Sequence, residues 1–352
     1  MNLKELSELL GLSQTTVSRA LNGYPEVSES TRQRVLEAAR QYNYRPNTRA
    51  TGLATGKSMA IGHVLPVFSR NEVVNPIFGE FVAGASQVYS DHGFEMLLTV
   101  AETDKEAETY RNLAAKRAVD GLIVHAPRRN DDRIKLLTEI GLPFVVHGRV
   151  SDSELDYSWV DFNNRRAFKQ ACKLLIDLGH ERIGLINGPE ALNFAWRRRL
   201  GYLEALQEAG LAQDEQLMHS EELTEHSGYE ATRRMLKADR PPTALLASSY
   251  VVALGIQRAI SQASLTLGKD VSVVIHDDEL SFFHNHGDVP QFTATRSSVR
   301  EAGKIAAQML LSIIENPEQQ PLRELLEARL TIGASTGPRI STSPGEKVRG
   351  TA

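Results

Sequence analysis

Apolar and polar positions along the first 45 residues follow the helical period and predict three short helices. The predicted helices begin after residues that cap helices well, which are Asn2, Ser13 and Ser28. The second helix is predicted from Gln14 to about Leu21, and the third spans about residues 29–42. Gly11 provides a tight turn between the first two helices. Two short helices joined in this way and supported by a third are typical of a helix-turn-helix unit.

From about residue 59 the pattern changes to short apolar runs that alternate with helical periods. The apolar runs, which predict buried strands, lie at residues 60–65, 94–100, 121–125, 143–147, 182–186, 243–247 and 271–276. Such an alternation is typical of parallel sheets that are covered by helices on both faces. About 280 residues are too many for one sheet, so we expect two α/β lobes. A ligand is then expected in the cleft between them, at the carboxyl ends of the strands.

These patterns predict a chain in four parts. The parts are a helical head at residues 1–46, a hinge or linker at 47–57, a two-lobed α/β domain at 58–339, and a disordered tail at 340–352.

Composition and charge add a location and a partner to this outline. The chain has 352 residues, a net charge of −4 and one cysteine, Cys172, in a helical pattern that favours a buried thiol. Residues 1–57 contain eight basic and five acidic side chains, so this part is net +3 and the remainder −7. A basic head is suited to phosphate. The sequence has no signal-peptide pattern and no membrane span, so we expect a cytoplasmic protein.

The exposed face of the second helix carries short polar side chains and one arginine. Its members are Gln14, Thr15, Thr16, Ser18, Arg19 and Asn22. Such groups read base edges in the major groove of DNA, although a solvated polar face has a similar composition.

An enzyme is the alternative from another class. His276-Asp277-Asp278-Glu279 and the nearby His284 and His286 could suggest a metal site, but their spacing matches no regular ligand pattern. The sequence also contains no phosphate-binding glycine loop and no nucleophile elbow. We therefore expect neither catalysis nor a metal or cofactor.

Two sets of segments in the chain match those of a known family. In the head they are 12–23, Val27-Ser28, Thr31-Arg32, Arg34-Val35, Tyr44-Arg45-Pro46-Asn47 and Leu53. In the remainder they are Asn75-Pro76-Ile77-Phe78, 119–123, Leu178-Gly179-His180, Gly188-Pro189, Arg198, Gly201-Tyr202 and His276-Asp277-Asp278. Through these segments the chain resembles the LacI/GalR-type bacterial repressors from Leu3 to about Pro338.

The resemblance implies a homodimer that binds a pseudo-palindromic DNA operator. It also implies that the all-α head binds DNA and is attached to an α/β two-lobed effector-binding and dimerisation domain like the type I periplasmic binding proteins. The N-lobe of that domain is then expected at about 58–158 and 293–320, and the C-lobe at about 159–292 and 321–339.

The resemblance also implies roles for residues of the head and hinge. Base readout falls to Gln14, Thr15 and Arg19, and positions nearer the phosphates are Thr16, Ser18, Asn22, Ser28 and Thr31. Asn47 and Ala50 match residues that enter the minor groove, and Leu53 matches a leucine that parts the central base step. Ordinary packing between domains is the alternative role for Leu53. No leucine heptad is present in 340–352, so a dimer is expected rather than a tetramer.

For the sensor, polar residues at predicted strand ends and helix starts are the candidate effector ligands. They are Asn75, His125, His147, Asp161, Arg198, Tyr250 and Asp277, with Phe68, Phe194 and Trp196 as aromatic candidates. Arg198 and Asp277 match the family's ligand-binding pair, and an ion pair between the lobes is the alternative for them. The two histidines could equally be structural. Ser248-Ser249-Tyr250 departs from the Asn-Asp of many relatives, so a known relative's effector does not transfer.

The function that the resemblance implies is repression of carbohydrate uptake or catabolism genes. A small neutral saccharide, of the α-glucoside disaccharide class, is expected to release the protein from its operator. When bound, the protein would be associated with the bacterial nucleoid. The alternative is a corepressor-type regulator that binds a purine or a phosphosugar.

Overall fold

The computed structural model describes residues 1–44, 57–67, 75–102, 104–150, 155–285 and 287–339. By its internal contacts the chain forms two units, of which the smaller contains Met1–Met59 and the larger most of the chain from Ala60 onward. The predicted hinge residues Asn47, Ala50 and Leu53 lie outside the described residues, as do the aromatic candidate Phe68 and the tail 340–352.

The head contains the three predicted helices, α1 Leu3–Leu10, α2 Gln14–Leu21 and α3 Glu29–Gln41. The side chains of Asn2, Ser13 and Ser28 each accept a hydrogen bond from a backbone N–H in the first turn of the helix that follows. Gly11 ends α1 at a φ of 64°, a left-handed conformation that glycine adopts without strain.

A small apolar core fixes the three helices against one another. Its buried members are Leu6, Val17, Ala20, Val27, Val35, Ala38 and Ala39. Two arginines of α3 secure the connections between helices, because Arg32 donates to the backbone oxygens of Gly23 and Tyr24, and Arg34 to that of Leu10. The inward side chains of α2 are thereby used for packing, and its opposite face is left to solvent.

The larger unit alternates strands with helices, as the sequence predicted. Its strands are β1 Ala60–Val67, β2 Glu95–Glu102, β3 Gly121–His125, β4 Phe144–His147, β5 Ser158–Phe162, β6 Ile183–Asn187, β7 Met218–Ser220, β8 Ala244–Ala247, β9 Ser272–Asp277, β10 Thr293–Arg296, β11 Arg323–Leu326 and β12 Arg329–Thr331. Its helices are α4 Pro76–Asp91, α5 Glu106–Ala115, α6 Asp132–Ile140, α7 Asn164–Asp177, α8 Asn193–Glu208, α9 Glu225–Leu236, α10 Tyr250–Gln262 and α11 Val299–Glu315. A short 3₁₀ turn spans Glu215–Leu217.

Two six-stranded sheets form the cores of two lobes. The N-lobe sheet has the order β11-β5-β4-β3-β1-β2 and the C-lobe sheet the order β12-β10-β9-β8-β6-β7. Neighbouring strands are parallel except for β12, which runs antiparallel to β10. In both sheets the central strands are fully buried, as in β3 and β8. These strands therefore read as continuous apolar runs in the sequence.

The chain crosses between the lobes a few residues later than the predicted boundaries. Strand β5 lies in the N-lobe sheet, although the C-lobe was expected from residue 159. Strand β10 lies in the C-lobe sheet, although the N-lobe was expected from residue 293, and β11 lies in the N-lobe sheet. Short strands near a crossing between the lobes have no hydrophobic periodicity that assigns them to one sheet, because both sheets offer similar apolar surroundings.

Helices cover both faces of each sheet and complete the cores. In the N-lobe, Phe81 of α4 and Leu310 of α11 pack with Ile61 and Ile123 of the sheet. In the C-lobe, α7 and α8 form one apolar cluster, which includes Cys172, and α9 and α10 form another. Among the helices that the structure describes, none has the length and apolar character needed to cross a bilayer.

Candidate functional site

The exposed face of α2 is the first candidate site. Gln14, Thr15 and Arg19 are solvent-exposed, and their side chains make no hydrogen bond to any residue that the structure describes. Side-chain amide, hydroxyl and guanidinium groups on one helical turn are the groups that read base edges. The polar groups on this face can therefore bind DNA, because contacts within the head do not occupy them.

The other predicted DNA-binding residues of the head take part in local hydrogen bonds. The hydroxyls of Ser13 and Thr16 lie 2.8 Å apart, and that of Ser28 donates to Thr31 at 2.9 Å. Asn22 donates to the backbone oxygen of Ser18 at 2.8 Å. These contacts fix the ends of α2 and the start of α3, which suits residues that position a helix rather than read bases.

The second candidate site is a cavity of about 610 Å³ between the lobes of the larger unit. Its walls come from the carboxyl ends of β1, β3, β4 and β5, the start of α4, and the C-lobe segments that follow β6 and β9. Five of the seven predicted effector residues line it, namely Asn75, His125, His147, Asp161 and Arg198. The structure does not place Tyr250 or Asp277 there.

Arg198, on α8, is the main cation of the C-lobe wall. Its buried guanidinium donates to Oδ1 of Asn164 at 2.8 Å and to the backbone oxygen of Ser248 at 2.7 Å. The ring centroids of Phe168 and Phe194 lie 5.1 and 5.0 Å from its Cζ. Burial lowers the pKa of Arg198 to about 10, so the side chain stays charged near neutral pH. It is held rigidly, as a ligand-orienting group must be.

Asp278 supplies the carboxylate opposite this cation. Its Oδ1 lies 3.4 Å from Nε2 of His276, and its buried Oδ2 has no hydrogen-bond partner in the described part of the chain. Burial raises the pKa of Asp278 to about 7, although the charge of Arg198 works in the opposite direction. Asp278 lines the cavity, and the hydrogen-bonding capacity of its Oδ2 is not filled by the described residues.

Asp277, the predicted carboxylate, faces away from the cavity. It is the last residue of β9, and successive residues at a strand end point to opposite sides. Its Oδ1 accepts from the backbone N–H of Glu279 at 3.0 Å, and its Oδ2 lies 3.4 Å from Nε of Arg296. The structure thus places Asp278, and not Asp277, in the cavity lining, a difference of one residue that the sequence could not give because it carries no register for the end of the strand.

Tyr250 likewise lies outside the cavity. It begins α10, is buried, and stacks on Phe283 with ring centroids 5.4 Å apart, while Phe292 meets it edge-on at 5.6 Å. Val251, the next residue, lines the cavity instead. The first turn of α10 directs the phenol into the C-lobe core, where its apolar body is buried.

The N-lobe wall is built from neutral rings. His125 and His147 are register partners at the ends of β3 and β4, and Phe81 stacks on His147 with centroids 4.3 Å apart. Phe78 and Phe81 both meet the His125 ring edge-on. Burial lowers the pKa of His147 to about 4 and that of His125 well below its usual value, so both imidazoles are uncharged near pH 7.

Asp161 and Asn75 complete the predicted set. Oδ2 of Asp161 lies 2.9 Å from Nε of Arg149, and burial raises its pKa to about 6 against the effect of that arginine. Asn75 caps α4, because its side chain accepts from the N–H of Ile77 at 3.0 Å. Of the aromatic candidates, Phe194 lines the cavity, whereas Trp196 does not.

Backbone hydrogen bonds join the lobes beside the cavity. Arg128 and Leu192 form an antiparallel bridge, and the N–H of Asn193 donates to the oxygen of Pro127 at 2.9 Å. The guanidinium of Arg129 lies 4.0 Å from the centroid of the Trp196 ring. Sequence reasoning missed these contacts, and also Phe81, although the helical period places Phe81 one turn after the Ile77-Phe78 pair.

Comparison with known proteins finds matches for both the head and the larger unit. A model of the family "Bacterial regulatory proteins, lacI family" matches residues 2–47, and a "Periplasmic binding protein-like domain" model matches 172–336. The chain is 48% identical over 344 residues to the HTH-type transcriptional regulator AglR of Rhizobium meliloti (strain 1021), covering 98% of this chain and 96% of that protein. The chain belongs to the LacI family.

Solved structures of similar LacI-family proteins cover both units. A Lac repressor dimer bound to operator and the anti-inducer ONPF has 27% identity and a TM-score of 0.83, covering 96% of this chain and 99% of that one. A CelR–cellobiose complex has 29% identity and a TM-score of 0.70, covering 95% and 99%. The predicted fold, a helix-turn-helix head with a two-lobed periplasmic-binding-protein-like sensor, is confirmed. Because the relatives are transcriptional regulators, this LacI-family member is a regulator and not an enzyme.

Proposed function

We propose that this LacI-family regulator represses carbohydrate uptake or catabolism genes and leaves its operator when a neutral saccharide fills the sensor cavity. We further propose a disaccharide of the α-glucoside class as that effector. The observation that carries the proposal is that a buried guanidinium, Arg198, and a buried carboxyl group, Asp278, line one cavity together with aromatic and imidazole rings.

The charges of the cavity favour an uncharged ligand. Arg198 interacts with Asp278, and Arg149 lies against Asp161. Arg128 donates to Glu106 at 2.8 Å. A phosphate or another anion would have to compete with these carboxylates for each cation, whereas sugar hydroxyls can donate to the carboxylates and accept from the guanidinium.

Size and shape support a saccharide of one or two rings. A volume of about 610 Å³ lies within the range of roughly 300–1,000 Å³ that small-molecule sites occupy. Phe78 and Phe194 offer apolar surface for the C–H face of a sugar ring. The CelR structure described above contains cellobiose, a neutral disaccharide, which supports the same class of effector here.

We propose that the head acts as one half of a homodimer on a pseudo-palindromic operator. Gln14, Thr15 and Arg19 read bases, and the hinge residues Asn47, Ala50 and Leu53, which lie outside the described residues, contact the minor groove. The Lac repressor dimer bound to operator supports this arrangement. Such a protein acts in the bacterial cytoplasm, at the nucleoid when bound.

Fluorescence anisotropy with labelled pseudo-palindromic duplexes tests the proposal. The full-length protein is expected to bind a subset of duplexes, and maltose, trehalose or sucrose should release it. Glucose 6-phosphate and hypoxanthine serve as the charged and purine comparators. Tighter DNA binding with either comparator, with no response to the neutral sugars, would replace the proposal with the corepressor alternative.

A further inference from the structure

Three buried side chains form a chain of hydrogen bonds that reaches the N-lobe wall of the cavity. Oη of Tyr89, on α4, lies 3.0 Å from Nε2 of His63, on β1. Nδ1 of His63 lies 3.1 Å from Nε2 of His125, at the end of β3. Tyr89 and His63 are sealed from solvent and do not line the cavity, whereas His125 does. The chain therefore connects the N-lobe interior with the ligand site.

All three side chains are uncharged near neutral pH. Burial raises the pKa of the Tyr89 phenol and lowers the pKa of His63 to about 3. Burial also lowers the pKa of His125, and the nearby His63 and His147 add to this effect. A neutral imidazole carries one N–H and one bare nitrogen, so each hydrogen bond in the chain has a definite donor.

The phenol decides the direction of these hydrogen bonds. Within the described part of the chain, the hydroxyl of Tyr89 has no hydrogen-bond partner except Nε2 of His63. If Nε2 of His63 were the donor, the hydrogen of the buried phenol would have no acceptor, which is unfavourable. Tyr89 therefore donates to Nε2, and the proton of His63 is on Nδ1. That N–H donates to Nε2 of His125, so His125 carries its own proton on Nδ1.

The free end of the chain is Nδ1 of His125. It has no hydrogen-bond partner in the described residues, and the His125 side chain lines the cavity. We propose that Tyr89 and His63 are positioning residues that fix His125 as a hydrogen-bond donor to the effector, through its Nδ1–H. This inference rests on the proposed effector site. It assigns to the N-lobe wall an acceptor atom of the ligand, such as a ring, glycosidic or hydroxyl oxygen.

The tautomer can be read in the full-length protein without any ligand. Uniform ¹⁵N labelling of histidine, with assignment by a His125→Gln variant, reports which ring nitrogen carries the proton. In the wild-type protein we expect His125 to be protonated on Nδ1 and His63 on Nδ1. Protonation of His125 on Nε2 would overturn the proposal.

Tyr89→Phe removes only the hydroxyl that sets the direction. The ¹⁵N shifts of His125 are then expected to move towards those of a mixture of both tautomers. Tyr202→Phe is the matched control, because it removes another buried phenol, which donates to the backbone oxygen of Ile183 at 2.8 Å in the C-lobe. A His125 tautomer unchanged in Tyr89→Phe, or changed equally in Tyr202→Phe, contradicts the assigned roles.

Saccharide titrations separate this proposal from the proposed function. With maltose, trehalose and sucrose as probes, Tyr89→Phe should weaken binding about fivefold, the effect of one hydrogen bond, while Tyr202→Phe stays within about twofold. If His125 has the expected tautomer but none of the three sugars binds the wild-type protein, the hydrogen-bond chain is confirmed and the proposed effector class is wrong. If the sugars bind but Tyr89→Phe does not weaken their binding, the hydrogen-bond chain has no role in recognition.

Discussion

At the scale of single residues, burial decides the chemistry of the cavity. It raises the pKa of Asp278 to about 7 and that of Asp161 to about 6, and it lowers the pKa of His147 to about 4. The desolvation of each group outweighs the attraction of its partners. Burial therefore favours the uncharged form of these three groups, which suits the recognition of a neutral ligand by hydrogen bonds.

Asp278→Asn tests whether burial raises the pKa of the Asp278 carboxyl group. The usual pKa is near 3.8 and the folded one near 7, so between these values the folded protein holds more protons than the unfolded one. The free energy of unfolding contributed by Asp278 is therefore lost as pH rises through that window. Relative to wild type, Asp278→Asn should be more stable at pH 8 than at pH 5, by at most about 3 kcal/mol.

Urea unfolding at the two pH values measures this difference. Asp277→Asn is the control for the removal of a carboxylate from the same strand end, where Asp277 faces out of the cavity. A stability difference between Asp278→Asn and wild type that is the same at pH 5 and pH 8 would contradict the perturbed pKa.

Individual site residues could be predicted from the sequence where a local motif fixes their position. Arg198 lies on a predicted helix, and its position in the sequence matches that of the family's ligand-binding arginine. Asp277 and Asp278 differ by one residue at a strand end, and a register of one residue changes the face. His63 lies inside an apolar strand run, so nothing in the sequence distinguished it from a core residue.

At the scale of helices and strands, the close packing of helix pairs determines which substitutions the sensor tolerates. Gly201 of α8 lies against the backbone of α7, where an added Cβ would clash with the backbone oxygen of Arg165. Gly201→Ala must therefore push the two helices apart and is expected to destabilise the sensor by about 1–3 kcal/mol. Thermal unfolding followed by circular dichroism measures this loss.

Gly79→Ala is the matched control in α4. No described atom lies within 4 Å of a Cβ at this position, and the helical conformation suits alanine. This substitution is expected to be neutral or to stabilise the protein by about 0.4–1 kcal/mol. An equal loss of stability in both variants would mean that helix contact is not the cause.

Helix α2 provides the second test at the scale of helices and strands. Arg19→Ala removes the exposed guanidinium of α2 and should reduce discrimination between operator and unrelated duplex by about 1–3 kcal/mol. Lys4→Ala is the control, because it removes the same charge from the exposed part of α1. Competition binding at fixed salt separates the two, since loss of a phosphate contact weakens all sequences alike. Equal effects on operator and competitor in Arg19→Ala would remove it from base readout.

Elements were predictable in proportion to their periodicity and burial. The three head helices were predicted because caps and apolar faces agree, and β3, β8 and β9 because their apolar runs are continuous. Strands β5, β10, β11 and β12 are short and lie near the crossings between lobes. β11 has two exposed charged residues, Arg323 and Glu324, followed by two leucines, so only its pairing with β5 in the folded sheet identifies it as a strand.

At the scale of the whole molecule, the sensor can respond to a ligand because its two lobes share the cavity. Each lobe has its own core, and the described contacts that join them beside the cavity include the bridge between Arg128 and Leu192. Under the proposed function, a saccharide held by Arg198 and Asp278 on one side and by His125 on the other would stabilise one arrangement of the lobes. It can shift the operator-binding equilibrium only by its different affinity for the two arrangements.

The affinity of the effector measured with and without operator tests this linkage most directly. Calorimetric titration of the responding saccharide into free protein and into the protein–operator complex should show weaker binding to the complex. The ratio should equal the factor by which the saccharide weakens operator binding, because coupling between two sites is reciprocal. Arg198→Ala should bind operator normally and lose the saccharide response. Identical saccharide affinity in the free and operator-bound wild-type protein would contradict the account.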